Sequence, residues 1–395
     1  MSSKTDVPRL TGFLANALPN VAIGLGALGL AATAVLWKGN AHHTAFSYLF
    51  AFLFFLSITI GSLFFVIIQH LARAGWSVVV RRIPETFAMN AWLMAVFFIP
   101  VIFGMHELYH WTHPEAVASD HLLAGKAGYL NVKFFLIRAV LFFGIWIAMA
   151  RFFYKKSVAQ DQSGDKQLTL SMQAFSAVAI LLFAISVTFG IIDWAMSLTP
   201  HWYSTMFGVY FFAGSAVAAF ATMSLVALLL RRFGFLADVI RTDHYHDIAK
   251  FLYGLNIFWA YVSFSQYFLI WYANIPEESV WFMQHFNGSW NTVAATLAIG
   301  HFFVPFVLFM SKHMRRNLVV HAALMVWFLM MHCLDLYWLV MPNISPNGIH
   351  PTLADLTSFV GIGGIFVGVF WLRLRKASLM PARDPRLSES LHHHT

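Results

Sequence analysis

The chain has 395 residues, of which 59% are hydrophobic, 17% aromatic and only 11% charged, where soluble domains average about 25% charged. This composition excludes a soluble globular fold, and because the bases behind the net charge of +8 lie between apolar runs, membrane orientation explains them and no nucleic-acid partner is needed. A single cysteine, Cys333, excludes a disulfide framework, a Cys-x-x-Cys-His haem attachment and a Cys-ligated iron–sulfur cluster within the chain.

Ten apolar runs follow one another at about 18–37, 46–70, 88–108, 130–152, 171–194, 206–231, 248–273, 290–312, 317–341 and 353–375, each near the roughly 20 residues that a span requires. The first, about Val21 to Trp37, lacks a cleavage site and is long enough to cross, so it is expected to be a retained helix. Assigning the connections to alternate sides places 21 of the 25 Lys and Arg on one side, from Lys4 and Arg9 through Arg81–Arg82, Arg151–Lys156, Arg231–Arg241 and Lys312–Arg316 to Arg373–Arg386. By the positive-inside rule both ends are cytoplasmic. The fourth span contains Arg138. The outer connections carry acids and aromatics in short stretches, His106–His113, Glu277–Trp281 and Pro342–Pro351, whose Trp, Tyr and His fit an interfacial belt. Gly361, Gly364 and Gly368 in the last span permit close helix contact.

The fifth and ninth spans resemble copies of one another. Asp193 closes one and is followed seven residues later by Pro200; Asp335 closes the other and is followed seven residues later by Pro342. A carboxylate within a span costs about 2.5–3.5 kcal/mol on insertion scales and ordinarily faces a bundle interior. Setting Tyr48 against Tyr210 lays spans two to five on six to nine and brings Glu85 onto Asp247, a parallel repeat about an axis normal to the membrane. The expected architecture is all-α and polytopic. It has a tail and first span (1–45), two four-helix bundles (46–200 and 201–350), and a last span with its cytoplasmic tail (351–395).

Four stretches, Gly61-Ser-Leu-Phe-Phe, Arg81-Arg-Ile-Pro-Glu85, Asp193-Trp-Ala-Met-Ser-Leu-Thr-Pro200-His-Trp-Tyr-Ser204 and Phe264–Glu277, are similar to the polysulfide-reductase (NrfD-like) family of membrane subunits. Within it the chain resembles the smaller such subunit of bacterial alternative complex III, a quinol:cytochrome c oxidoreductase. The resemblance covers nearly the whole chain. It implies a multi-pass subunit of the bacterial inner membrane, in a respiratory or photosynthetic electron-transfer assembly with a larger sibling subunit, an iron–sulfur subunit and multihaem cytochrome c subunits. Haem c and iron–sulfur clusters would then sit on those partners, and this chain would hold no covalent cofactor, only bound lipids and, in one reading, quinol.

Counting about 1.5 Å per residue from the outer ends, Asp193 and Asp335 lie roughly 9 Å deep, Arg138 and His332 about 12–14 Å, and His301 near mid-membrane. One reading pairs Arg138 with an aspartate as a structural lock. The other is a proton path through Asp193, Asp335, Arg138, His332, His301 and His321, with Glu107, His106 and His110 as its exit, since quinol oxidation must release two protons outward. His106, Asp193 and His332 are the candidates for any quinol contact. His70, Asp247, Lys250 and His321, near the inner span ends, are expected to be solvated or snorkelling, and Asn256 and Gln266 to bond between helices. Two rival readings remain open. A b-type cytochrome would use His301 and His332 as axial ligands. A secondary transporter would break its helices at mid-membrane, yet Pro305 is the one proline read as lying within a span away from its ends.

Overall fold

The computed structural model describes residues 9–395; Lys4 of the basic count lies outside them. Among the described residues every regular element is helical and there is no strand. Ten long helices are α1 (Gly12–Gly39), α2 (Ala41–Leu71), α3 (Val78–Phe103), α4 (Val132–Ser163), α5 (Lys166–Trp194), α6 (Phe207–Arg232), α7 (Thr242–Ala273), α8 (Trp290–Met310), α9 (Leu318–Val340) and α10 (Leu353–Leu374). Nine of them are long and apolar enough to cross a membrane. The remaining one, α7, has the length, but its Asn256, Gln266, serines and tyrosines dilute its apolar character. The chain is therefore a multi-pass membrane protein. We call the side bearing residues 376–395 the tail face and the side bearing residues 104–131 the loop face.

The organising element is α2, buried along almost its entire length. Its closest crossing is with α6, where a side chain on Gly61 would collide with the Ser215 carbonyl and Ala219, so the absence of a Cβ there sets how near the two halves of the chain approach. The first and last helices pair in the same way. A Cβ on Gly29 would lie 2.6 Å from the Gly361 nitrogen and one on Gly364 2.6 Å from the Gly26 nitrogen. The tyrosines matched by the repeat bond differently: Tyr48 donates to the Phe97 carbonyl at 2.9 Å, whereas Tyr210 donates to the Asp335 carboxylate.

Several expectations need correction. The third span starts at Val78 rather than 88, taking Arg81, Arg82 and Glu85 into its buried first two turns. It can do so because those charges satisfy one another: Arg81 Nε donates to Glu85 Oε1 at 3.2 Å and Arg82 Nη1 to Glu85 Oε2 at 2.9 Å. Pro305 is not alone, because Pro19 and Pro84 lie inside helices and Pro100 opens a fresh helical segment within α3. His70, Asp247 and His321 are 2%, 6% and 0% exposed rather than solvated. Gln266 bonds a loop rather than a helix, accepting at 3.1 Å from Ser204 in the segment before α6, and both side-chain atoms of Asn256 are unpartnered. The loop-face Trp residues are packed rather than belt-like: Trp202 stacks on Trp281 with centroids 4.7 Å apart, and Trp281 on His285 at 3.6 Å.

Candidate functional site

Asp193 sits at the end of α5, fully buried, opposite Arg138 about one fifth of the way along α4. The guanidinium meets the carboxylate at two points, Nε to Oδ2 at 2.6 Å and Nη2 to Oδ1 at 3.0 Å, while Nη1 donates to the Tyr129 carbonyl at 2.9 Å. Its planar face lies over the Tyr129 ring at 3.8 Å and the Phe134 ring at 4.4 Å. Two-point pairing uses the fixed fork of arginine, and the aromatic faces replace the water that the cation gives up.

Asp335, at the repeat-matched place on α9, has no basic partner. Its Oδ1 accepts from the Tyr210 hydroxyl of α6 and its Oδ2 from Trp259 Nε1 of α7 at 3.2 Å, and the carboxylate is 2% exposed. Trp259 packs in turn against His301 of α8, the rings tilted by 32° with centroids 3.8 Å apart. His301 lies in a π-helical turn, Leu297–Phe303, whose widened backbone is served by Trp327 Nε1 donating to the Gly300 carbonyl at 2.7 Å. Such turns concentrate at functional sites, and both His301 ring nitrogens are buried without a partner. The second half of the chain thus contributes one polar or aromatic group from each of α6, α7, α8 and α9 to a single cluster.

His332, one turn before Asp335, joins this cluster to α2. Its Nε2 lies 2.8 Å from Ser57 Oγ, and that hydroxyl already gives its hydrogen to the Phe54 carbonyl at 2.7 Å. Ser57 therefore accepts from Nε2–H, which fixes the tautomer and leaves Nδ1 as an unpartnered, buried lone pair. Gly214 of α6 faces both groups: a Cβ there would lie 3.0 Å from His332 Nδ1 and 3.8 Å from Asp335 Oδ2. His321, three turns back toward the tail face, repeats the arrangement, with Nε2 2.6 Å from Ser224 Oγ and Nδ1 unpartnered. Phe328 and Met325, both fully buried, lie between the two histidines on α9.

The remaining sequence candidates meet elsewhere. His106 and Glu107 line a cavity of about 470 Å³ on the loop face together with His42, His110, His113 and His201. His42 Nδ1 is 3.4 Å from Glu107 Oε2, and the His106 and His113 rings lie 3.8 Å apart. Among the described residues no group of three or more His, Cys, Asp or Glu has metal-binding geometry. The cavity also meets Leu198, Thr199 and Pro200, which follow α5, and Gln284 and Asn343. Sequence reasoning missed Tyr210 and Trp259 as aspartate ligands, and Ser57, Gly214 and the π-helical turn. Tyr210 was in hand as a repeat marker, but nothing in one sequence says that its hydroxyl reaches α9.

Asp193 and Asp335 thus sit in a polytopic helical membrane protein with two unlike buried carboxylate centres. No family model and no curated protein matches the sequence.

Proposed function

We propose that this chain is a ten-span subunit of a quinol-oxidising electron-transfer assembly of the alternative complex III type in the bacterial inner membrane. It carries no redox centre of its own and provides a transmembrane proton route. The four motifs quoted above support the family, and the tail face, which takes most of the lysines and arginines, is assigned to the cytoplasm by the positive-inside rule. On this reading iron–sulfur and multihaem cytochrome c subunits dock at the loop face, and the larger sibling lies alongside in the membrane. Any quinol contact with this chain lies in the loop-face half, near His106, Asp193 or His332.

The observation that carries the proton reading is the asymmetry of the two aspartates. Arg138 neutralises Asp193, which therefore serves as an anchor. Asp335 meets only neutral donors, so nothing fixes its charge and it can take and give a proton. When Asp335 is protonated its hydroxyl donates to the Tyr210 oxygen, reversing that hydrogen bond, and the free Nδ1 of His332 one turn away is the adjacent proton acceptor. His321 and Ser224 provide the corresponding step nearer the cytoplasm, with the apolar layer at Phe328 and Met325 separating the two halves. Release is through the histidine-lined cavity around Glu107.

Two measurements test this. Mild-detergent purification should recover the chain with iron-bearing subunits; recovery as a stable lone oligomer rejects the assembly. In the assembled complex, Asp335→Asn should lower the protons released per electron. Unchanged stoichiometry and turnover reject the route.

A further inference from the structure

Residues 382–393 lie back across the tail face and hold it at four places, the first where Ala382 N–H donates to Asp161 Oδ1 at 2.8 Å and Arg383 donates to the Gln162 carbonyl at 2.5 Å. The Asp384 carboxylate, 5% exposed, receives the Arg81 guanidinium, and His393 reaches Asp247. Glu85, which Arg81 also contacts, and Asp247 are the carboxylates that the repeat sets in register, so one strap engages both halves of the chain. Between these two holds, Ser390 is fully buried. Its hydroxyl donates to the Trp76 carbonyl at 2.5 Å and accepts from Val79 N–H at 3.3 Å, and its carbonyl faces His244 Nε2 at 3.0 Å.

The Val79 contact matters because it is a helix cap supplied from a distance. The first N–H groups of a helix lack intrahelical acceptors and are ordinarily served by the N-cap side chain. In α3 that residue is Ser77, a suitable cap by type, yet it makes no capping hydrogen bond and its Oγ is buried without any partner. Helix α3 therefore has two serines for one role, the local one idle and the remote one engaged. The strap's partner His244 shares its turn of α7 with Tyr245, whose ring centroid is 5.7 Å from that of His321, so the strap holds the turn that packs on His321.

We propose that residues 382–393 are a releasable strap on the tail face that holds the turn packed on His321, and that Ser77 takes over the α3 cap when Ser390 leaves. The idle cap lowers the cost of release, because a turn of the Ser77 backbone from its helical φ −86°, ψ −4° to the extended cap conformation satisfies the terminus once Ser390 has left. The two holds at Asp384 and His393 set the closed state, and either half of the chain can feel its opening. The strap stands whether or not protons move through the chain, because it concerns access to the tail face alone.

Hydrogen exchange on the full-length protein in lipid nanodiscs tests it without any turnover measurement, so its failure and that of the proton reading are separable. In the wild type, amides of 382–393 should exchange together through an opening that leaves α2 protected; exchange only through global unfolding overturns the strap. In Asp384→Asn/Ser390→Ala the strap and residues 242–248 should lose protection while the first turn of α3 keeps it, and adding Ser77→Ala should then expose that turn. Wild-type protection of the strap in the double variant, or equal loss at the α3 turn with and without Ser77, overturns the proposal.

Discussion

Arg138 grips Asp193 at two points, 2.6 Å and 3.0 Å, with both groups out of water. Removing one partner of such a pair leaves an uncompensated buried charge, which costs about 3–5 kcal/mol. Asp193→Asn should therefore lower the thermal stability of the purified protein and its yield, as should Arg138→Gln. The double variant should recover part of the loss, since it strands no charge. A double variant no better than the sum of the singles would show that the two residues act separately.

Asp335→Asn should behave differently. The amide oxygen can accept from Trp259 Nε1 and the amide nitrogen can donate to the Tyr210 oxygen, so both contacts survive. We expect thermal stability within about 1 kcal/mol of wild type, in the range of a retained neutral hydrogen bond. Protein that unfolds as readily as Asp193→Asn would make Asp335 an anchor too.

Gly214→Ala probes the space between His332 and Asp335. The new methyl would sit 2.9 Å from His332 Cε1 and 3.0 Å from Nδ1, tighter than carbon and nitrogen tolerate, so the imidazole must turn and weaken its 2.8 Å contact with Ser57. Overpacking of this kind costs about 1–3 kcal/mol. Proton release should slow more than stability falls, and Ser57→Ala, which loosens the ring from the opposite side, should slow it as well. Normal proton release in both variants would exclude a role for His332.

The ten runs and the alternation of basic loops were legible in composition because crossing a membrane demands length and apolarity before anything else. The two aspartates were legible because a carboxylate in hydrocarbon is expensive wherever it lies. Their difference was not. Arg138 precedes Asp193 by 55 residues, and which aspartate it reaches depends on helix rotation, which apolar helices with little amphipathic contrast do not encode. The early start of α3 was hidden because Arg81, Arg82 and Glu85 read as a loop until their mutual neutralisation is seen. The strap was hidden because Ser390 and Ser77 look alike in a sequence. The glycines of α10 were noted, but their partners Gly26 and Gly29 on α1 emerge only once the two helices lie side by side.

That glycine seam makes its own prediction. A Cβ on Gly364 would fall 2.5 Å from the Ala22 carbonyl oxygen, and because backbone cannot yield as a side-chain tip does, Gly364→Leu should force α1 away from α10. Disulfide trapping between cysteines replacing Thr33 and Thr357, whose hydroxyls lie 3.1 Å apart across the same two helices, should be efficient with the glycines in place and lost in the Gly364→Leu variant, with the rest of the fold intact. Efficient trapping in the variant would show that the seam does not set the separation of the helices.

The last prediction concerns the loop face at low pH. Asp120 caps the short helix that starts at His121, accepting from Leu122 and Leu123, and its other oxygen lies 2.5 Å from His201 Nε2. The hydrogen bond from His201, then the backbone bonds, hold its carboxyl below the ordinary value near 3.8. A carboxylate with a depressed folded value contributes stability that is complete above its unfolded value and is lost as pH falls through the folded one. The tie between the 113–131 loop and the segment after α5, which Lys126 reinforces by donating to the Pro200 carbonyl at 2.5 Å, should therefore hold at neutral pH and loosen only below about pH 4. Hydrogen exchange across residues 114–126, corrected for intrinsic rates, should be slow at neutral pH and rise below that value. Asp120→Asn should raise it at neutral pH and flatten the pH dependence, because the amide keeps the cap but has neither the negative charge that strengthens the hydrogen bond from His201 nor a carboxylate to protonate. An Asn variant with wild-type protection at every pH would show that the loop is held by Lys126 and its apolar contacts alone.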